Sequence, residues 1–206
     1  MYANAQTVRP ASARFVPLKR GHALTSRFGH DTNDRSADPR GTGAAASRLA
    51  TPRALVLGFG NVLLSDDGAG IRLVERLRSE LGADAAQFVD GGTLSFSLLP
   101  YLEATHSMLV ADAADLDREP GAIGLFEGAE MDEFLKIPRR RSVHEVGLVD
   151  LLDMARLLSC LPDRRALLCI QPGRIDWCET LSDPVAKVMP EASRKARATL
   201  ERWMLA

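Results

Sequence analysis

Three short runs, Ala54–Gly58, Ser107–Ala111 and Ala166–Ile170, are apolar at almost every position rather than at every second one. A strand with one wet face alternates; a continuous apolar run of this length needs cover on both faces. Stretches of another period lie between these runs. From Ser65 or Asp66, either of which can cap a helix, Ile71, Val74, Leu77, Arg78 and Leu81 fall on one 3.6-residue stripe. Gly147 to about Leu158 repeats the pattern with Leu148, Leu151, Leu152, Ala155 and Leu158. Shorter strands are expected at Gln87–Asp90 and Ala122–Phe126, and a helix from Ser95 to Ala104. The last helix should run from Asp183 to about Met204, with Pro190 either kinking it or breaking it into two pieces. Strands that alternate with helices predict an α/β sandwich around a largely parallel sheet.

Residues 1–52 have no sustained hydrophobic period and no acid before Asp31. They are expected to be a disordered or non-native N-terminal extension, with 53–206 as a single α/β domain. An organelle transit peptide is the less favoured reading of the same segment, and no apolar core of a secretory signal is present. The net charge of −1 gives no field that would draw in nucleic acid or an anionic membrane. No apolar run reaches the roughly 18–20 residues a membrane span needs. Cys160, Cys169 and Cys178 are odd in number and form no CxxC pair. That argues against a disulfide framework and for a reducing cytoplasm, with Cys160 and Cys169 as small core residues.

In a parallel sheet, ligands sit outside the carboxyl ends of the strands. Four residues at or near such ends can carry chemistry: Asp67 in the loop after the first strand, Asp90 ending the second, Asp112 directly after the third, and His144 before the Gly147 helix. Two carboxylates and an imidazole with open positions suit a divalent transition metal, without separating nickel from zinc or cobalt. Each residue also has a plainer reading. A boundary aspartate is usually a cap or turn former, and capping is the favoured role for Asp66. His144 follows the basic run Arg139–Arg141, which reads as a solvated loop, with docking of an acidic partner second. His22 and His30 in the N-terminal segment and His106 in a short loop are expected to be exposed. A dinucleotide site is disfavoured: Gly58-Phe59-Gly60 lacks its third glycine, because position 63 is Leu63. No GK[ST] or GxSxG motif occurs.

The segment Leu57-Gly-Phe-Gly-Asn-Val-Leu-Leu-Ser-Asp-Asp-Gly-Ala-Gly-Ile71 resembles the N-terminal signature of the hydrogenase maturation proteases. Asp90-Gly-Gly-Thr93, Val110-Ala-Asp-Ala113, His144-Glu-Val-Gly-Leu-Val-Asp-Leu-Leu152 and Ile170-Gln-Pro172 are similar to that family's later blocks, in the same order. The resemblance spans about Arg53 to Trp203.

It implies a three-layer sandwich with a twisted, mostly parallel but mixed five-stranded sheet between helices. It implies a metal site that maps to Asp67, Asp112 and His144, with Asp90 in a catalytic or substrate-orienting role. The family's first ligand is often glutamate, so Asp67 reaches one methylene less far. The implied reaction removes the C-terminal extension of a nickel–iron hydrogenase large-subunit precursor after nickel insertion. Nickel arrives with the precursor as the recognition element, and no cofactor stays bound between turnovers. The attacking group stays open between a metal-activated water or polarised carbonyl and Asp90 or Asp67 as general base. The alternative is a non-catalytic nickel-binding chaperone module for hydrogenase assembly. A monomer in the cytoplasm is expected, with no nucleic-acid or membrane partner.

Overall fold

A computed structural model describes residues 54–92, 96–137 and 145–205 of the chain. The expected N-terminal extension, residues 1–52, the run Arg139–Arg141 and His144 lie outside the described residues. Five strands form one sheet: β1 (Leu55–Phe59), β2 (Gln87–Gly92), β3 (Ser107–Ala113), β4 (Ile123–Glu127) and β5 (Arg164–Ile170). Their order is β2-β1-β3-β5-β4. β2, β1, β3 and β5 are parallel, and β4 runs antiparallel along the β5 edge. The sheet is therefore mostly parallel and mixed, as expected.

Continuous apolar runs become central strands because each face meets helices. On one face Val56, Leu109, Ala111, Ala166 and Leu168 pack with Leu73 and Leu77 of α1 (Ala69–Leu81) and Val185, Met189, Ala192 and Ala196 of α5 (Asp183–Leu205). On the other, Leu55, Leu57, Met108, Val110 and Leu167 pack with three helices. These are α2 (Leu99–Glu103), α3 (Ala129–Leu135) and α4 (Glu145–Leu157). The split follows odd and even positions along each strand, the two-residue period of the pleat. Each fully buried leucine contributes about 1.5–3 kcal/mol relative to exposure. Cys169 is buried in the second cluster and Cys160 packs half-buried against it. Among the described residues, no helix is long and apolar enough to cross a membrane.

Four expectations need correcting. α5 is one continuous helix through Pro190, not two pieces. Pro190 and Ala186, whose carbonyl loses its usual partner, are both exposed, and buried Met189, Ala192 and Ser193 hold the helix on the sheet side. α3 was not expected; it is short, but Met131, Phe134 and Leu135 supply its apolar face. Asp112 lies within β3 rather than after it. Neither Ser65 nor Asp66 caps α1; both belong to a 3-10 turn, Ser65–Gly68, that precedes the helix.

The strand order sets the useful crevice. β1 leads to β2 on one side, while β3 flanks it on the other. The order reverses between β1 and β3, and a parallel sheet opens its crevice at the carboxyl end of such a pair.

Candidate active site

The loop leaving β1 is folded back tightly on itself. Gly60 has φ +129°, and a Cβ there would lie 1.9 Å from the Asp67 carbonyl oxygen. A Cβ on Gly70 would lie 2.3 Å from the Ala111 carbonyl oxygen of β3. Only glycine permits these approaches, and together they press the Ser65–Gly68 turn onto the end of β3. Asp67 is thereby held over the β1–β3 crevice, with 3% of its surface exposed. Its Oδ2 accepts the Asn61 N–H at 2.9 Å. Asn61 Oδ1 in turn accepts the Leu63 N–H at 3.0 Å, which closes the loop locally.

Asp112 is 1% exposed, and its Oδ1 accepts the Ala113 N–H at 2.8 Å. It follows Met108 and Val110 in the alternation of β3, so it falls on the face covered by α2, α3 and α4. Asp90 differs. It is exposed, and its Oδ1 accepts the Gly92 N–H at 2.8 Å. Asp90 and Ala111 are both Cα partners of Gly58, so β1 stands between Asp90 and Asp112. Two strand spacings place their backbones roughly 10 Å apart. Asp90 also shares its position in the alternation with Phe88, which packs on the α1 face. A register shift between Gly58 and Phe59 leaves Gly91 unpaired just after Asp90, an irregularity typical of strand ends beside active sites.

The structure thus places Asp67 and Asp112, both buried, near the carboxyl ends of β1 and β3, and sets the exposed Asp90 on the far side of β1. His144 directly precedes α4 in sequence but lies outside the described residues. Among the described residues, no group of three or more His, Cys, Asp or Glu side chains is gathered for a metal.

Capping is the local role the sequence favours for Asp66, and its position shows another task. It is fully buried. Its Oδ2 accepts the Gly173 and Arg174 N–H groups, each at 2.9 Å, and the Ser182 hydroxyl at 2.6 Å. Its Oδ1 accepts the Ser182 N–H at 2.7 Å. Ser65, at φ +52°, donates its hydroxyl to the Thr180 carbonyl at 2.8 Å and accepts the Arg174 guanidinium at 3.2 Å. A left-handed serine costs about 1 kcal/mol or more, and these bonds hold it there. The Ser-Asp pair therefore braces the β1 loop against the segment after β5. The available sequence signal was a second acid beside Asp67 facing a stretch, Gly173–Ser182, with no helical or strand period.

Comparison with known proteins places this geometry. The sequence model described as "Hydrogenase maturation protease" matches residues 71–198. The chain belongs to the hydrogenase maturation protease family. Among the similar curated members of that family is the hydrogenase expression/formation protein HupD of Rhizobium leguminosarum bv. viciae. It is 35% identical over 158 residues, 75% of this chain and 77% of the relative. The hydrogenase 2 maturation protease of Escherichia coli strain K12 is 29% identical over 150 residues, 72% of this chain and 90% of that protein. The solved hydrogenase maturating endopeptidase HybD of E. coli superposes with a TM-score of 0.65 at 27% identity, covering 73% of this chain and 93% of that one. The resemblance drawn from the sequence blocks is thus confirmed, the enzyme class is that of an endopeptidase, and the maturation-protease fold is the one observed.

Proposed function

We propose that this chain removes the C-terminal extension of a nickel–iron hydrogenase large-subunit precursor after nickel has been inserted. The observation that carries the reading is the pair of buried carboxylates, Asp67 and Asp112, at the β1–β3 crevice of a maturation-protease fold. Burying a carboxylate is costly unless the site gives it a partner, so such positions are commonly functional. In this reading Asp67, Asp112 and His144 meet the nickel that the precursor carries. Asp112 faces the side on which α4 packs, and His144 directly precedes α4, which supports their pairing. Carboxylate and imidazole donors suit divalent nickel, and a set with open positions binds only when the substrate brings the metal. Nickel would then act as the signal that the precursor is ready. Asp90, exposed and on the other side of β1, takes the substrate-orienting or general-base role. The protein acts as a cytoplasmic monomer and keeps no metal between turnovers.

The test is to incubate the chain with nickel-loaded and nickel-free precursor and to weigh the large subunit by mass spectrometry. Loss of a C-terminal peptide from the loaded sample alone is expected. No loss from either would overturn the proteolytic reading in favour of a non-catalytic nickel-handling role.

A further inference from the structure

The polar side chains of the β1 loop serve different ends. Ser65 and Asp66 bond to the segment from Gly173 to Ser182, more than a hundred residues away. Among the described residues, the Asn61 side chain bonds only inside its own turn, where Oδ1 accepts the Leu63 N–H at 3.0 Å as an Asx turn. The Asn61 backbone takes part twice more. The Leu64 N–H donates to the Asn61 carbonyl at 3.0 Å, and the Asn61 N–H donates to Asp67 Oδ2 at 2.9 Å. A ring closes because the Asp67 N–H donates to the Leu64 carbonyl at 3.2 Å. Asp67 is thus tied through its main chain and through its carboxylate to one turn, and Asn61 supplies the side-chain bond that shapes that turn.

An N–H lies in the peptide plane shared with the preceding residue, so two residues aim it. On one side stands Gly60, at φ +129° and packed against the Asp67 carbonyl. On the other stands Asn61, held by its Asx turn. The last torsion of an aspartate is broad, so a carboxylate takes its orientation from directed donors. A fixed N–H at 2.9 Å is such a donor, and the orientation it selects decides which lone pairs of Asp67 face a reacting centre. Asparagine suits the task because it accepts the Leu63 N–H without charge. An aspartate at position 61 would accept it too, but would set a second negative charge in the turn that holds Asp67.

We propose that Asn61 is a positioning residue for precursor cleavage: by capturing the Leu63 N–H it aims its own N–H at Asp67 and fixes the orientation in which the Asp67 carboxylate works. The assignment rests on the reading that Asp67 takes part in cleavage. Asn61 acts through Asp67 and not on the substrate, so its loss should be felt in the chemical step and not in the affinity for the precursor. A catalytic group displaced by about 1 Å can lose a hundredfold in rate, which sets the upper end of the expected effect.

The experiment follows cleavage of nickel-loaded precursor by the full chain and, in the same variants, amide hydrogen exchange at residue 61 by NMR. Asn61→Ala should lower kcat about ten- to a hundredfold and leave KM within about twofold of the wild type. Exchange of the residue 61 amide should speed up about tenfold or more while the amides of α1 stay protected. Asn61→Ser, whose hydroxyl can still accept the Leu63 N–H, should recover kcat to within about fivefold of the wild type. Asp67→Ala alone should release the same amide, and adding Asn61→Ala to it should lower the remaining cleavage by less than about twofold. An unaltered kcat in Asn61→Ala would overturn the assignment, as would a further tenfold fall in the double variant. Loss of protection across α1 in Asn61→Ala would overturn it in favour of a general role in folding. A wild-type chain that cuts no precursor would refute the proteolytic reading. The exchange rates would still decide whether Asn61 holds Asp67, and equal exchange in the wild type and Asn61→Ala would overturn the assignment by itself.

Discussion

Two aspartates brace this molecule on different sides, and they use different partners. Asp132 on α3 is gripped by cations. The Arg165 guanidinium donates to it at 2.6 and 3.1 Å and that of Arg156 at 2.9 Å. Burial pushes its carboxyl up, but the Arg165 hydrogen bond and the charges of Arg165, Arg156 and Lys136 outweigh that and hold it below the usual carboxylate range. Asp66 is held by three backbone N–H groups and a hydroxyl. A guanidinium on a long stem can follow a shifting partner, whereas a backbone N–H cannot move without moving its loop. The first arrangement ties side chains together across α3, α4 and β5. The second dictates the path of the segment from Gly173 to Ser182, and with it the edge of the crevice.

If that distinction is right, the largest effects belong to the crevice. Asp67→Ala and Asp112→Ala should each lower precursor cleavage about a thousandfold while near-ultraviolet circular dichroism stays that of a folded protein. A variant cutting at the wild-type rate would remove its residue from the mechanism. Next comes stability. Asp66→Ala leaves three backbone N–H donors without their acceptor and should cost about 3 kcal/mol in urea unfolding. Asp132→Ala, which frees two arginines near water, should cost about 1.5 kcal/mol. The reverse order would break the comparison.

The two also differ with pH. The Asp132 carboxyl has its pKa depressed in the folded state, so its stabilisation is present above the unfolded value and lost as pH falls below about 4. Urea midpoints of the wild type and Asp132→Asn should therefore converge in that acid window and separate above it. The smallest effect is expected at the α5 surface. Arg197 meets Glu201 at 2.6 Å, but both are solvent-exposed, and Arg197→Ala should leave the melting temperature without measurable change.

Much of this was legible in the sequence. Periodicity marked β1, β3, β5, α1 and α4, because a buried strand or an amphipathic helix must display its own pattern. Strand ends followed, and with them Asp67, Asp90 and Asp112. What escaped was set by contacts the chain makes far from itself. Asp66 looked like a cap because capping is a local habit; its real partners come more than a hundred residues later. Pro190 looked like a break because local geometry disfavours it, and the packing of α5 overrode that. Asp112 seemed to follow its strand, since nothing local tells where β5 stops pairing with β3. The relation of Asp90 to Asp112 depended on strand order, which periodicity does not carry.

The bracing of the β1 loop by residues 173–182 has a consequence for synthesis. The acids of the crevice are made early, but the donors that fix their loop are nearly the last thing translated before α5. A nascent chain that has reached only β5 has an Asp66 without its donors and an unsupported β1 turn. Assembly of the working edge therefore waits until residues 173–182 have been made, so that a product terminated just after β5 would have strands but no competent site.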